Sequence, residues 1–264
     1  MTAKQTDLGM EFDVGGSLVR RRTELLADGS YVFEDDLAIS DVLTIPIITC
    51  KAWLIELYKL RDGELVLISG NQLITPRTRS FGVLYPPFSI TQPRFINTRG
   101  HIFGIAGTKP LPAPLTVAPL LFDAPFANNQ FNSTNEILEI LTTVEGRPVP
   151  LNPCPSLLAL QTKRMIDEQY LVNPAIAAIA GKLGVTHEHL SRTFKREFSL
   201  SPRNYLHKLR VADAALLLAR GEEIINVSQE VGYNDLSRFY TQFRKATYTS
   251  PGVCKNMLKP RRND

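Results

Sequence analysis

Two segments of this chain follow one pattern. AIAAIAGKLGVTHEHLSRTFKREF at 175–198 reads as a short apolar helix, a glycine turn at Gly184 and a second helix opened by Thr186 as N-cap. IINVSQEVGYNDLSRFYTQFRKA at 224–246 repeats it, with Gly232 at the turn and Asp235 at the opening. Leu190, Phe194 and Phe198 in the first unit, and Phe239 and Phe243 in the second, recur at helical spacing. One face of each second helix must therefore be anchored to a core. Between the units lie Arg203–Ala219, 17 residues, or about 26 Å of helix at ~1.5 Å per residue. One turn of B-DNA is about 34 Å, so this connector can present both second helices to successive major-groove segments on one face of a duplex.

The period of the apolar residues divides the rest of the chain. From Pro155 onward it is helical, with helices expected near 156–170, 174–183, 186–198, 202–219, 224–231, 235–246 and 250–258. From Tyr31 to about Phe122 it reads as short β segments: 42–60, ELVLISG at 64–70, SFGVLYP at 80–86 and RGHIFGIAG at 99–107, with RDG at 61–63 and YPP at 85–87 as breaks. PLPAPLTVAP at 110–119, with four prolines, reads as an extended crossing segment. STNEILEILTTVEG at 133–146 has the cap and apolar spacing of a helix that packs on the sheet or against a second copy through Ile137, Leu138, Ile140 and Leu141. RPVPLNPCP at 147–155 reads as a Pro-rich linker. The expected architecture is α+β in two domains: a β-rich barrel or sandwich over 1–146, and an all-α domain over 156–264.

Charge follows the same division. Residues 156–264 carry 17 Lys and Arg against 10 Asp and Glu, whereas 1–155 carry 13 against 16. A basic helical half suits a phosphate-bearing partner, because Lys and Arg that neutralise phosphates release condensed counterions. Three widely spaced cysteines, Cys50, Cys154 and Cys254, argue against a disulfide framework or zinc ribbon. With no apolar run of about 20 residues and no secretory pattern at the start, the expected location is the cytoplasm, with no membrane partner.

The helical half resembles the AraC/XylS family of bacterial transcription regulators over about 156–256. The resemblance lies in LSRTFKREF, in SP at 201–202 followed by NYLHKLRVADAALLLARG, and in INVSQEVGYNDLSRFYTQFRKA closing on TSPGVCK. Leu209, Arg210, Ala212, Ala215, Leu217 and Leu218 fall at the family's arginine and apolar positions; Ser199 and Tyr248 stand where glycines are usual, Cys254 where an aromatic is usual, and Thr241 where an arginine is common. The resemblance implies double-stranded promoter DNA as partner, with Glu188, Ser191 and Arg192 toward bases and His187 and Lys195 nearer the backbone. The second helix would present Leu236, Ser237, Tyr240 and Thr241, with Arg238 and Arg244 on phosphates. Arg192 is the natural guanine reader, since a guanidinium bonds bidentately to O6 and N7; alternatively it pairs with Glu188 on a solvated face.

The family also implies a cupin-like N-terminal domain that senses a small molecule and dimerises, and RNA polymerase as a partner if the protein activates. With only His101 in this region, no metal cupin is expected, and the absence of any nucleophile-and-base pattern argues against an enzyme. The alternative is a β-domain enzyme, or a sugar- or metabolite-binding protein, with a regulatory DNA-binding tail. No acidic residue lies between Glu64 and Asp123, an interval that holds Arg77, Arg79, Arg94 and Arg99. Arg77 and Arg79 alternate, so on a strand they would share a face. Unopposed guanidiniums suit an anionic effector, with cyclic di-GMP as one candidate; internal ion pairs with Glu34, Asp35, Asp36 and Glu56, or an apolar ligand, are the other readings.

Overall fold

The computed structural model describes residues 2–6, 9–14, 16–26, 30–69, 72–111, 119–123, 135, 139, 141, 146–148, 155–172 and 174–257. Its first part is one antiparallel sheet. The strands are β1 (Thr2–Thr6), β2 (Gly9–Val14), β3 (Ser17–Leu25), β4 (Tyr31–Ala38), β5 (Val42–Thr44), β6 (Ile47–Ile48), β7 (Trp53–Ser69), β8 (Gln72–Ile74), β9 (Ser80–Tyr85), β10 (Ile90–Gly107), β11 (Leu120–Asp123) and β12 (Gly146–Pro148). They pair in the order β1-β2-β3-β4-β10-β7-β9-β11-β12, with β5 and β6 on β10 and β8 on β7.

Alternation along each strand sends neighbours to opposite faces, and both faces are covered. One face gathers Phe12, Val19, Phe33, Leu37, Tyr58, Leu60, Phe81 and Ile102 from strands across the whole order. The other gathers Val32, Trp53, Ile55, Leu84, Ile105 and Phe122, with Leu111 and Leu141 packed on them. This double coverage explains why β9 and the end of β10 are buried almost without interruption.

Three sequence expectations change here. RDG at 61–63 is not a break: β7 runs through it as a bulge opposite Ile96–Gly100 on β10. Gly63 makes this possible, with φ +76° and the Asn97 carbonyl oxygen where a Cβ would lie, 2.3 Å away. Strands also precede Tyr31, since β1, β2 and β3 extend the sheet on its β4 side. At the other end Arg147 and Pro148 pair with Leu121 and Leu120, so the expected linker begins inside the sheet. Its residues 149–154 lie outside the described residues, as do 112–118 of the crossing segment. Of the expected helix at 133–146, Asn135, Glu139 and Leu141 are helical and Gly146 is in β12; the remainder, including Ile137, Leu138 and Ile140, is outside the described residues.

The helices of the second part are α1 (Leu157–Gln169), a 3-10 turn (Tyr170–Val172), α2 (Ile176–Lys182), α3 (His187–Phe198), α4 (Pro202–Ala219), α5 (Ile224–Glu230), α6 (Leu236–Thr247) and α7 (Pro251–Met257). The first half of α4 joins α1, α2 and α3 through Tyr205, Leu206 and Leu209. Its second half joins α5, α6 and α7 through Val211, Ala214, Leu217 and Leu218. One helix thus serves as the spine of two small cores.

The sheet and the helices touch through side chains. Cys50, with Ile48, Phe88 and Ile90, belongs to the core of α1, α3 and α4, and Phe88 meets Tyr170 edge-on at 6.3 Å. Lys51 Nζ lies 3.2 Å from Asp213 Oδ2, which also accepts a 2.7 Å bond from Tyr170 Oη. Val253 of α7 packs against the inner-face cluster of the sheet.

Candidate nucleic-acid interface

Each helix-turn-helix unit is set by its turn. Gly184 has φ +68° and Gly232 φ +84°, the left-handed region that glycine enters without a Cβ clash. Thr186 Oγ1 accepts from His189 N at 3.2 Å, and Asp235 Oδ1 accepts from Ser237 N at 2.7 Å and Arg238 N at 3.3 Å. These caps satisfy donors that the first turns of α3 and α6 leave open. Leu190 and Phe194 under α3, and Phe239 and Phe243 under α6, are fully buried, each contributing about 2–3 kcal/mol of apolar burial.

The connector α4 ties the two units together through Arg210, which is only 2% exposed. Its Nε donates to Tyr170 O at 2.6 Å and its Nη1 to Gly232 O at 2.8 Å. One guanidinium thus clamps the end of the first bundle to the turn of the second unit, with Tyr233 stacked 5.3 Å away. Next to it, His207 Nδ1 lies 3.1 Å from Tyr233 Oη. Burial first, then the charges of Arg238 and Arg210, push His207 down to about 4, so it is neutral at pH 7.

The face of each second helix opposite its core is open. On α3, His187, Glu188, Arg192 and Lys195 are exposed and Ser191 is half-buried; on α6, Leu236, Ser237, Arg238, Thr241 and Arg244 are exposed and Tyr240 is half-buried. Tyr240 leans on the α4–α6 core and meets Phe239 edge-on at 6.2 Å. Glu188 approaches His187, at 3.9 Å, and forms no ion pair with Arg192 among the described residues. The two helices correspond residue by residue from His187 and Leu236 onward, so Glu188 and Arg192 match Ser237 and Thr241. Arg196 and Lys245, exposed at matching flanking positions, were missed in the sequence; they lie four residues beyond Arg192 and Thr241, one turn along the same face.

The four arginines of the β part are dispersed. Arg77 and Arg79 lie in a bend before β9, not on a strand, so the expected shared face does not form. Arg79 Nη1 donates to Arg61 O at 2.5 Å. Arg94 and Arg99 are on β10, opposite Val66 and Asp62 of β7, and Arg94 Nε reaches Thr44 Oγ1 at 3.4 Å. All but the half-buried Arg94 are exposed.

Inside the sheet is a polar group of which the sequence reading names only Asp35 and Glu56, as partners for other arginines. Arg21 makes a bidentate pair with Asp35, at 2.7 and 2.6 Å, and lies 4.3 Å over the Phe33 ring. Burial opposes the Arg21 charge, but Asp35 outweighs it and raises its pKa. Glu56 accepts from Tyr58 Oη, which lies 3.4 Å from Tyr85 Oη, and burial pushes Glu56 up to about 7. The alternation Val19, Arg21, Thr23 marks Arg21 as inward-facing, but only once β3 is recognised as a strand.

Comparison with known proteins fits this geometry. A helix-turn-helix domain family matches residues 179–257. The chain is 35% identical over 78 residues to the uncharacterized HTH-type transcriptional regulator YobQ of Bacillus subtilis, covering 28% of this chain and 32% of that protein. It is 31% identical over 81 residues to the lactose operon transcription activator of Staphylococcus xylosus, covering 30% and 29%. The chain therefore aligns with about a third of the length of these relatives. A crystal structure of apo ToxT from Vibrio cholerae shares the fold over 89% of this chain and 99% of its own, with a TM-score of 0.51 and 15% identity. Residues 179–257, which hold both glycine turns and both second helices, are thus similar to a helix-turn-helix domain family.

Proposed function

We propose that this protein is a cytoplasmic, sequence-specific transcription regulator, not an enzyme. Residues 156–264 would bind promoter DNA and residues 1–146 would sense an effector and support a homodimer, with 147–155 as the nominal linker. The observation that carries this reading is the pair of capped helices with open polar faces, locked to one spine by Arg210. His187, Glu188, Ser191, Arg192 and Lys195 serve as the α3 contacts; Leu236, Ser237, Arg238, Tyr240, Thr241 and Arg244 serve as those of α6. RNA polymerase becomes a partner where the protein activates.

The test is a mobility shift on the protein's own upstream region at 50 and 200 mM salt. Specific binding that weakens steeply with salt is expected; binding to no promoter fragment would sink the proposal. Arg192→Ala should weaken specific binding by about 1–3 kcal/mol and relax one base position. An equal loss on every sequence would make Arg192 a phosphate contact.

For the effector, the acid-free arginine stretch favours an anionic small molecule and the β part favours a cupin-like sensing role. Its arginines lie in separate segments, so a cyclic dinucleotide gains no support over other anions. A thermal-shift screen of anionic metabolites against wild type and Arg94→Ala/Arg99→Ala tests this. A ligand whose stabilisation survives both substitutions would remove these arginines from the site.

A further inference from the structure

The two recognition faces differ in the chemistry they offer a base pair. At the centre of the α3 face, Glu188 and Arg192 can each form directional hydrogen bonds in the major groove. The matching α6 positions hold Ser237 and Thr241, and the Thr241 hydroxyl already donates to Ser237 O at 2.9 Å. Neither Ser237 nor Thr241 can make the paired bonds by which arginine selects guanine or asparagine selects adenine. Among its exposed polar residues α6 also presents a large apolar side chain. Leu236, the first residue of the helix, is 41% exposed, at the end that helix-turn-helix units direct toward base edges. Thr241 lies five residues further along, about 1.4 turns, and Arg238 and Arg244 are exposed on the same helix.

Resting on the regulator reading above, we propose that α6 reads thymine 5-methyl groups, with Leu236 and the Thr241 methyl as the reading surface. The DNA segment facing α6 is then rich in A·T pairs, selected by apolar contact, while Arg238 and Arg244 hold the adjacent phosphates. Burying an exposed leucine side chain against a methyl group removes apolar surface from water, which supplies the affinity without a directional bond. The segment facing α3 is selected by hydrogen bonds and does not need to share this composition.

The experiment starts from duplexes selected by the full-length chain from a random library, with the protected bases assigned to α3 or α6 by footprinting. Thymines facing α6 are then replaced by deoxyuridine, which lacks only the methyl group. The expected result is a loss of about three- to fivefold per replaced base, the range for one methyl-sized contact. Leu236→Ala should abolish sensitivity at the base it touches, and Leu236→Met should retain it. Equal binding of thymine and deoxyuridine duplexes would overturn the proposal, as would an α6 segment without A·T enrichment. So would Leu236→Ala that lowers transcription with DNA affinity intact, since Leu236 would then face a protein. Failure to select any duplex would instead remove the regulator reading, and this inference with it.

Discussion

From His187 to Ser199 and from Leu236 to Tyr248, the two units run position for position. Each has a side-chain cap, a buried aromatic pair or its leucine equivalent on the inner face, and a left-handed residue at the end, Ser199 and Tyr248 both at φ +61°. They differ at the turn. Nothing lies within 4 Å of a Cβ built on Gly184, whereas on Gly232 it would meet Leu171 O at 2.3 Å and Arg210 Nη2 at 2.7 Å. The first turn needs glycine for its backbone angle alone; the second needs it also because the Leu171 carbonyl and, next to it, the Arg210 guanidinium lie directly against it. The turn of the repeated unit is thus packed against the spine in the second copy and open in the first.

Glycine replacement tests this most severely. Gly184→Ala should cost about 1–2 kcal/mol, the left-handed penalty, while Gly232→Ala should add about 1–3 kcal/mol of overpacking and displace Arg210. Urea unfolding of both variants measures the difference, and equal losses would remove the close packing of Leu171 and Arg210 on the second turn as its cause. A smaller effect should come from pH. An unfolded imidazole takes its proton near 6.5, while His207 in the second core takes it only near 4. Between these values the unfolded chain holds more protons, so stability falls as pH drops from 6.5 toward 4. His207→Gln should flatten that part of the unfolding-midpoint profile, and a slope that survives the substitution would place the titration elsewhere. Smallest are the helix ends, where the units should behave alike: Ser199→Gly and Tyr248→Gly should each raise stability by about 1 kcal/mol. A gain at one site only would show that its side chain packs more than its exposure suggests.

The helical part was legible almost to the residue. Caps at Thr186 and Asp235 and turns at Gly184 and Gly232 are local chemistry, and the observed boundaries fall within two residues of those expected. The sheet was less legible because its deviations are non-local. RDG reads as a turn unless the bulge on β10 opposite it is known, and SLVRRRTEL does not read as a strand until Asp35 is seen to neutralise Arg21 from the neighbouring one. The exposed face of α3 followed from its amphipathic pattern. That Arg210 joins two units could not be read from spacing, since its partners are carbonyls at Tyr170 and Gly232.

The seating of Cys50 and Phe88 in the helical core, and of Val253 in the sheet's, bears on how the molecule can be dissected. A cut in the proline-rich stretch would not release two finished parts. It would bare Ile48, Cys50, Phe88 and Ile90 on one fragment and Val253 on the other, and strip Lys51 from Asp213. The halves share their interiors, so a binding constant measured on the isolated helical fragment describes a different surface from the one the whole chain offers.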